Sequence, residues 1–247
     1  MQVLLLLYCG REQKEDEATM KKAVIFDLYE TLITEWVSDK YYSTKCADEL
    51  GINHTLFRSI WENSHRQMNI GESTYRRVLE NICLAAGVKP EQTVLDLCER
   101  KRIESKNQCF TLREDGIIKM LSKIKSMGQK IALCSNCSAD EVSGFSSSDF
   151  AGYFDTVIFS YEVGMEKPEE TIYQLCCEKL GVMPSDCLYI GDGGSRELYG
   201  AQAVGMEPLR AMWFLNKYVK DIKPMPFQSV DKTEQVVEVL QSGQRKK

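Results

Sequence analysis

The chain has 247 residues, a formal net charge of −5 and a sequence pI near 5.3. Apolar residues make up 43% and charged residues 27%, which is typical of a globular protein and excludes disorder as the main state. The acidic balance argues against a nucleic-acid-binding protein, because such proteins usually present a basic face. The two histidines offer little for a zinc site or a Ser–His triad.

The amino end carries a short apolar run, Val3-Leu-Leu-Leu-Leu-Tyr-Cys9, followed at once by charged residues. This run is far shorter than the roughly 20 residues of a membrane span, and it lacks the basic region that opens a signal peptide. We therefore expect residues 1–19 to form a loosely attached extension, and we predict a cytoplasmic protein with no membrane partner.

The ten cysteines are irregularly spaced, and several lie inside apolar runs. This pattern predicts buried, reduced thiols. Cys134-Ser-Asn-Cys137 has the spacing of a redox motif, which is a weak signal by itself.

The predicted elements begin with Ala23-Val-Ile-Phe26, which is fully apolar, as a buried central strand should be. Residues 37–110 follow with apolar positions at helical spacing and no comparable strand. Strands and helices then alternate, with strands predicted at 130–134, 156–160, 187–190 and 208–212. The pattern predicts an α/β fold with a parallel sheet: a core of residues 20–36 and 111–247, interrupted by a helical insertion over 37–110.

Polar side chains follow the ends of these strands. They are Asp27, Ser135, Lys167 and Asp192. In open α/β sheets ligands bind outside the carboxyl ends of the strands, so we expect these four groups to converge. Two carboxylates at close range need a positive charge to stay ionised together. Lys167 offsets one charge, and a hard cation, Mg²⁺, would offset the other and accept oxygen ligands.

The order of these motifs resembles that of the haloacid dehalogenase (HAD) superfamily of hydrolases. The first motif is Asp27-Leu-Tyr-Glu-Thr-Leu32, the second contains Ser135, the third is Lys167-Pro168, and the fourth runs from Gly191 to Glu197. The resemblance implies a three-layer Rossmann-like core with a helical cap inserted after the first motif.

The resemblance also implies roles for individual residues. Asp27 would be the nucleophile that forms an aspartyl-phosphate, and Ser135 would bind the phosphoryl group. Lys167 would neutralise the negative charges of the nucleophile and of the phosphoryl group. Mg²⁺ would be held by Asp27, Asp192 and the backbone carbonyl of Tyr29. The predicted substrate-binding residues are Tyr29, Thr31, Ser135 and Asn136.

Two positions depart from the phosphatase pattern. Tyr29 stands where family phosphatases usually carry a second Asp as general acid and base, and we expect it to shape the pocket. Glu197 stands five residues after Asp192, where the family often has Asp. Glu197 is either a carboxylate close to the metal or a solvated residue in the first turn of a helix.

The sequence thus predicts a Mg²⁺-dependent phosphatase that acts on a small phosphorylated metabolite. One alternative is a metal-independent 2-haloacid dehalogenase-like hydrolase, which the form of the first motif favours and the Gly-Asp pair of the fourth motif opposes. Another alternative is a domain that binds phosphorylated ligands without hydrolysing them. The oligomeric state is not predicted.

Overall fold

The computed structural model describes residues 21–36, 38–111 and 116–242. The predicted extension of residues 1–19 lies outside the described residues. Within them, six strands form one sheet in which every neighbouring pair is parallel. The strands are β1 (Ala23–Phe26), β2 (Lys130–Ser135), β3 (Thr156–Phe159), β4 (Cys187–Gly191), β5 (Glu207–Ala211) and β6 (Gln228–Val230).

The predicted α/β fold is confirmed, and the bounds of β1 agree with the sequence analysis. The other four predicted strands differ by one residue at one or both ends. Strand β6 was not predicted, because it is three residues long and only Val230 is buried. A strand with one buried side chain leaves no periodic signal in the sequence.

The helices alternate with these strands. In the described residues they are α1 (Ser43–Leu50), α2 (His54–Asn69), α3 (Tyr75–Ala85), α4 (Gln92–Gln108), α5 (Gly116–Ser126), α6 (Ser160–Val163), α7 (Glu170–Leu180), α8 (Glu197–Ala203), α9 (Trp213–Tyr218) and α10 (Thr233–Ser242). None of them combines the length and the apolar character needed to cross a membrane.

Strand β1 shows how the sheet acquires two apolar faces. Val24 and Phe26 belong to one hydrophobic cluster, and Ala23 and Ile25 belong to another. Successive strand residues point to opposite faces, so a strand covered on both sides must be apolar throughout. Helices α5 and α10 contribute to the first cluster, and α7 and α8 contribute to the second. The result is three layers.

The strand order is β3-β2-β1-β4-β5-β6. The chain builds outward from β1 in one direction through β2 and β3, and then returns to the other side of β1 with β4. The order therefore reverses beside β1, and a crevice forms at such a reversal. Three predicted site residues lie at this end of the sheet: Asp27 follows β1, Ser135 is the last residue of β2, and Asp192 follows β4.

Helices α1–α4 lie between β1 and α5 and surround a third hydrophobic cluster of their own. Local signals set their ends: the Asn53 side chain accepts from the backbone N–H groups of Thr55 and Leu56, and Gly51 closes α1 with a φ of 67°. The division of the chain into a core and a cap over residues 37–110 stays a prediction.

Candidate active site

A buried lysine lies at the centre of the site. Lys167 is 3% exposed, and its Nζ lies 2.5 Å from Asp27 Oδ1 and 2.6 Å from Glu197 Oε2. The Tyr189 hydroxyl lies 3.2 Å from the same nitrogen. Burial by itself would lower the pKa of Lys167, but the charges of Asp27 and Glu197 outweigh it and raise that pKa well above the ordinary value. The ammonium therefore stays charged.

Asp27 directly follows β1 and is 6% exposed. Lys167 holds its Oδ1, and the Thr31 hydroxyl donates to its Oδ2 over 3.2 Å. Both carboxylate oxygens are thus oriented by neighbouring side chains. Thr31 follows Asp27 by four residues within the first motif, so this short segment itself supplies the hydroxyl that orients the Asp27 carboxylate.

Glu197 is 1% exposed although it begins helix α8. Its Oε2 accepts from Tyr189 at 3.0 Å as well as from Lys167, and its Oε1 accepts from the Gly193 backbone N–H at 3.2 Å. Burial first, and then the charge of Asp27, raises the pKa of Glu197 to about 8. The alternative of a solvated first-turn residue is therefore wrong, because the helix start faces the interior.

A glycine makes room for Glu197. A Cβ atom at Gly191 would lie 2.0 Å from Glu197 Oε1, a distance no real Cβ contact allows. Gly193, with a φ of 101°, then turns the fourth motif so that its backbone N–H reaches the same oxygen. The glycines of this motif thus place a carboxylate beside Lys167.

Asp192 completes an acidic cluster with Asp27 and Glu197, in which one oxygen from each lies within 4.8 Å of the others. Burial, and then the charge of Asp27, raises the pKa of Asp192 to about 6. Three carboxylates thus share two nearby positive charges, the Lys167 ammonium and the Arg210 guanidinium, whose Nε donates to the Asp192 backbone carbonyl at 3.0 Å. This charge imbalance fits a divalent cation, and carboxylate oxygens are the donors that Mg²⁺ prefers.

The two polar residues that end β2 have different surroundings. Ser135 is buried, and its Oγ has no hydrogen-bond partner among the described residues. A buried hydroxyl without a partner costs about 1–3 kcal/mol, so Ser135 offers a ready contact to a ligand. Asn136 instead binds the Lys167 backbone twice, accepting from its N–H at 2.7 Å and donating to its carbonyl at 2.9 Å. This clamp orients the lysine, a role that the sequence did not suggest.

Tyr29 does not present its hydroxyl to Asp27. The hydroxyl donates to the backbone carbonyl of Glu141 over 2.6 Å, and the Lys106 ammonium lies 4.9 Å from the ring centre. Burial is the main cause that raises the pKa of Tyr29 well above its ordinary value. The adjacent Glu30 accepts from the Thr34 hydroxyl and the Glu35 backbone N–H instead. The first motif therefore holds no free proton donor next to its nucleophile.

Sequence reasoning missed an ionic network between α4 and the loop after β2. Arg102 binds Asp140 at 2.5 Å and Glu141 at 3.1 Å, and Lys106 binds Glu141 at 2.8 Å. The charges of Lys106 and Arg102 outweigh burial and lower the pKa of Glu141 to about 2. The capping-box spacing of Ser138 and Glu141 was the available signal, but it predicts a local turn and not these distant partners.

The Cys134–Cys137 pair has the surroundings of core thiols. Both side chains are buried, and burial raises the pKa of Cys137 well above its ordinary value. Reactive cysteines need the opposite shift, because the thiolate is the nucleophile. The redox interpretation therefore has no support in the structure.

Comparison with known proteins agrees with this geometry. Residues 21–205 match the haloacid dehalogenase-like hydrolase family. The chain belongs to that family and is therefore a hydrolase, as the motif order predicted.

Several curated relatives are named as phosphatases. Over 241 residues the chain is 25% identical to glyceraldehyde 3-phosphate phosphatase of Methanopyrus kandleri, covering 90% of this chain and 97% of that protein. It is 27% identical over 137 residues to N-acylneuraminate-9-phosphatase of Homo sapiens, covering 55% of this chain. The latter match spans 54% of the human protein, about half its length.

Solved structures of both hydrolase types share the fold. A 2-haloacid dehalogenase from Pseudomonas syringae has a TM-score of 0.65 at 21% identity, covering 90% of this chain and 99% of that one. A HAD phosphatase from Thermococcus onnurineus has a TM-score of 0.59 at 20% identity, covering 89% and 97%. At these identities the likeness shows the fold and does not separate the two activities.

The raised pKa of Glu197 predicts how stability depends on pH. The folded protein holds a proton on Glu197 up to about pH 8, whereas the unfolded chain releases it near the ordinary value of 4.5, so folding binds protons between these limits. In the metal-free protein, titration of Glu197 should therefore lower the free energy of unfolding as pH rises from about 5 to 8. Glu197→Gln should flatten that part of the profile in thermal denaturation with EDTA. Glu178→Gln, on an exposed helix surface, is the control and should leave the profile unchanged.

Gly191→Ala should displace Glu197 and disturb the whole site. Overpacking costs typically about 1–3 kcal/mol, so we expect a lower melting temperature together with a large loss of activity. Shortening the carboxylate in the double variant Gly191→Ala/Glu197→Asp should recover part of the lost stability. Gly152→Ala, where an added Cβ has nothing within 4 Å, should change little. An unaffected Gly191→Ala protein would contradict the packing described here.

Proposed function

We propose that this protein is a Mg²⁺-dependent phosphomonoesterase that hydrolyses a small phosphorylated metabolite through an aspartyl-phosphate on Asp27. The observation that carries the proposal is the arrangement at the end of β1: a buried carboxylate held by Lys167 and lying beside Asp192. The neighbouring strand β2 ends in Ser135, whose hydroxyl has no partner among the residues the structure describes. The phosphatase names of the curated relatives support the same activity.

Each residue has a task in this reaction. An oxygen of Asp27 attacks phosphorus and the ester oxygen departs, after which water cleaves the aspartyl-phosphate and regenerates Asp27. Lys167 would neutralise the nucleophile and the transferring group, and Ser135 would donate a hydrogen bond to a phosphoryl oxygen. Asp27, Asp192 and the Tyr29 carbonyl would hold Mg²⁺, which would neutralise phosphoryl charge when bound. Thr31 and Asn136 would act by orienting Asp27 and Lys167.

The proposal includes the cytoplasm as the place of action. All nine cysteines in the described residues are free thiols. Free thiols are typical of a reducing compartment, whereas oxidising compartments favour disulfides.

A metal-independent dehalogenase is the second candidate, and Tyr29 is the observation that favours it. The phenol replaces the carboxylate that a phosphatase would use for proton transfer, and its hydroxyl is already committed to Glu141. Asp192, half-buried beside Asp27, favours the phosphatase, because without a cation its charge only opposes that of the nucleophile. Assays with p-nitrophenyl phosphate and Mg²⁺, and with 2-chloropropionate without metal, separate the two. The non-catalytic alternative is disfavoured by membership of a hydrolase family.

Asp27→Asn should abolish phosphate ester hydrolysis, with a loss of ~10³-fold or more, because an amide cannot serve as the nucleophile. Lys167 keeps Glu197 as a partner, so the variant should remain folded with a lowered melting temperature. Circular dichroism and steady-state assays with p-nitrophenyl phosphate measure both properties. Substantial turnover by folded Asp27→Asn protein would contradict the proposed mechanism.

Mg²⁺ should raise the melting temperature of the wild-type protein, because a ligand that binds only the folded state stabilises it. Asp192→Ala should remove that rise while leaving the protein folded in EDTA. Asp186→Ala is the matched control, since this carboxylate pairs with Lys22 at the opposite end of β4. If millimolar Mg²⁺ produced no shift in the wild type, the metal-independent candidate would be favoured.

The absence of a free proton donor in the first motif predicts a strong dependence on the leaving group. General acid help is typically worth ~10²–10⁴-fold, so aryl phosphates should be cleaved much faster than alkyl phosphates. Tyr29→Asp should raise alkyl phosphate turnover more than aryl phosphate turnover, in assays of kcat for both substrate types. Tyr29→Phe, which removes the hydroxyl alone, should not do so. Equal wild-type rates on both types would show that another group supplies the proton.

A further inference from the structure

A cavity of about 370 Å³ lies between helices α1–α4 and the loop that follows β2. Ser138 and Glu141 form its core side, three and six residues beyond Ser135. Tyr29 connects the cavity to the nucleophile, because its hydroxyl binds Glu141 and its ring lies under Lys106, both of which line the cavity. The space therefore adjoins the site where phosphoryl chemistry is proposed.

Aromatic rings form much of the wall. They are Tyr41, Tyr42, Phe57, Trp61 and Tyr75. Trp61 stacks on Phe57 with ring centres 6.3 Å apart and meets Tyr75 edge-on at 5.6 Å, which keeps its indole in place. Tyr42 precedes α1 and is 57% exposed, although large aromatic side chains are usually buried. A wall of fixed rings with an exposed aromatic favours a ligand that presents a ring of its own.

Two half-buried cations of this wall, Arg102 and Lys106, are already neutralised. The Arg102 guanidinium lies 4.9 Å from the Trp61 ring and 4.8 Å from the Tyr75 ring while it binds Asp140 and Glu141. Lys106 binds Glu141 and Glu35. A ligand carboxylate could reach these cations only by displacing a protein carboxylate.

The total charge around the cavity also gives no attraction for an anion. Three cations line the cavity, Lys40, Arg102 and Lys106. They are matched in number by two lining carboxylates, Glu35 and Glu141, together with Asp140, which does not line the cavity but binds Arg102. Among the described residues, Lys40 forms no salt bridge, unlike Arg102 and Lys106. Its side chain is half-buried, so water screens its charge. The wall thus suits an uncharged group better than an acidic one.

We propose that this cavity binds the leaving group of the substrate, and that it selects a ring-bearing, uncharged alcohol over an acyclic or carboxylated one. The proposal rests on the proposed phosphatase activity and specifies the substrate class of that same site. Tyr42 is the specificity-determining residue it identifies, because its ring lines the cavity and remains accessible.

Three esters test the proposal: benzyl, 4-carboxybenzyl and ethyl phosphate. Each ester releases a primary alcohol, so the three leaving groups need general acid catalysis to a similar extent. Differences in kcat/KM among them therefore report how well the leaving group is bound. We expect kcat/KM to be at least about tenfold higher for benzyl phosphate than for the other two, chiefly through KM. Tyr42→Ser should lower the ratio of kcat/KM for benzyl over ethyl phosphate about three- to tenfold. Leu84→Ser is the matched control, since Leu84 is 81% exposed on α3 and does not line the cavity.

The outcomes are distinguishable. Hydrolysis of all three esters with similar kcat/KM would overturn the cavity assignment and leave the phosphatase intact. Preference for 4-carboxybenzyl phosphate, lost in Lys40→Met, would overturn the charge selectivity and assign Lys40 as a carboxylate site. Hydrolysis of p-nitrophenyl phosphate but of none of these esters would overturn the cavity assignment. No hydrolysis of p-nitrophenyl phosphate or of any of these esters with Mg²⁺ would overturn the proposed function itself.

Discussion

The site is organised by one buried ammonium between two carboxylates. Lys167 holds Asp27 on one side and Glu197 on the other, and all three side chains are nearly inaccessible to water. Buried charges are tolerated only when they are paired and hydrogen-bonded. The surrounding features serve that requirement: Asn136 clamps the Lys167 backbone, Tyr189 adds a hydroxyl, and Gly191 leaves space for the Glu197 carboxylate.

This arrangement leaves the acidic side of the site with excess negative charge. Lys167 compensates one unit, whereas Asp27, Asp192 and Glu197 supply three when ionised. The raised pKa values of Asp192 and Glu197 express the same imbalance. Either protons or a cation must balance it, which links the proposed Mg²⁺ requirement to the pH behaviour of the metal-free protein.

The nucleophile and the groups that surround the leaving alcohol come from different parts of the chain. Asp27 follows β1 and Lys167 lies between α6 and α7, whereas the cavity wall comes mainly from α1–α4 and meets the core through Glu141. Tyr29 lies at the junction, with its hydroxyl on Glu141 and its ring under Lys106. This position places Tyr29 against two residues of the cavity wall, and the bond to Glu141 takes the phenol away from proton transfer.

The sequence by itself determined the α/β class, the central strand and the placement of Asp27, Ser135 and Asp192 at the ends of neighbouring strands. These follow from local rules, because an apolar run of four residues must be buried on both faces and parallel strands end at one edge. Only the tertiary structure decided that Glu197 faces inward, that Asn136 holds Lys167, and that Tyr29 binds Glu141. These contacts join residues 30 to 112 positions apart, and the first also depends on space left by a glycine. Neither periodicity nor spacing encodes such contacts, because they arise only when separate elements pack together.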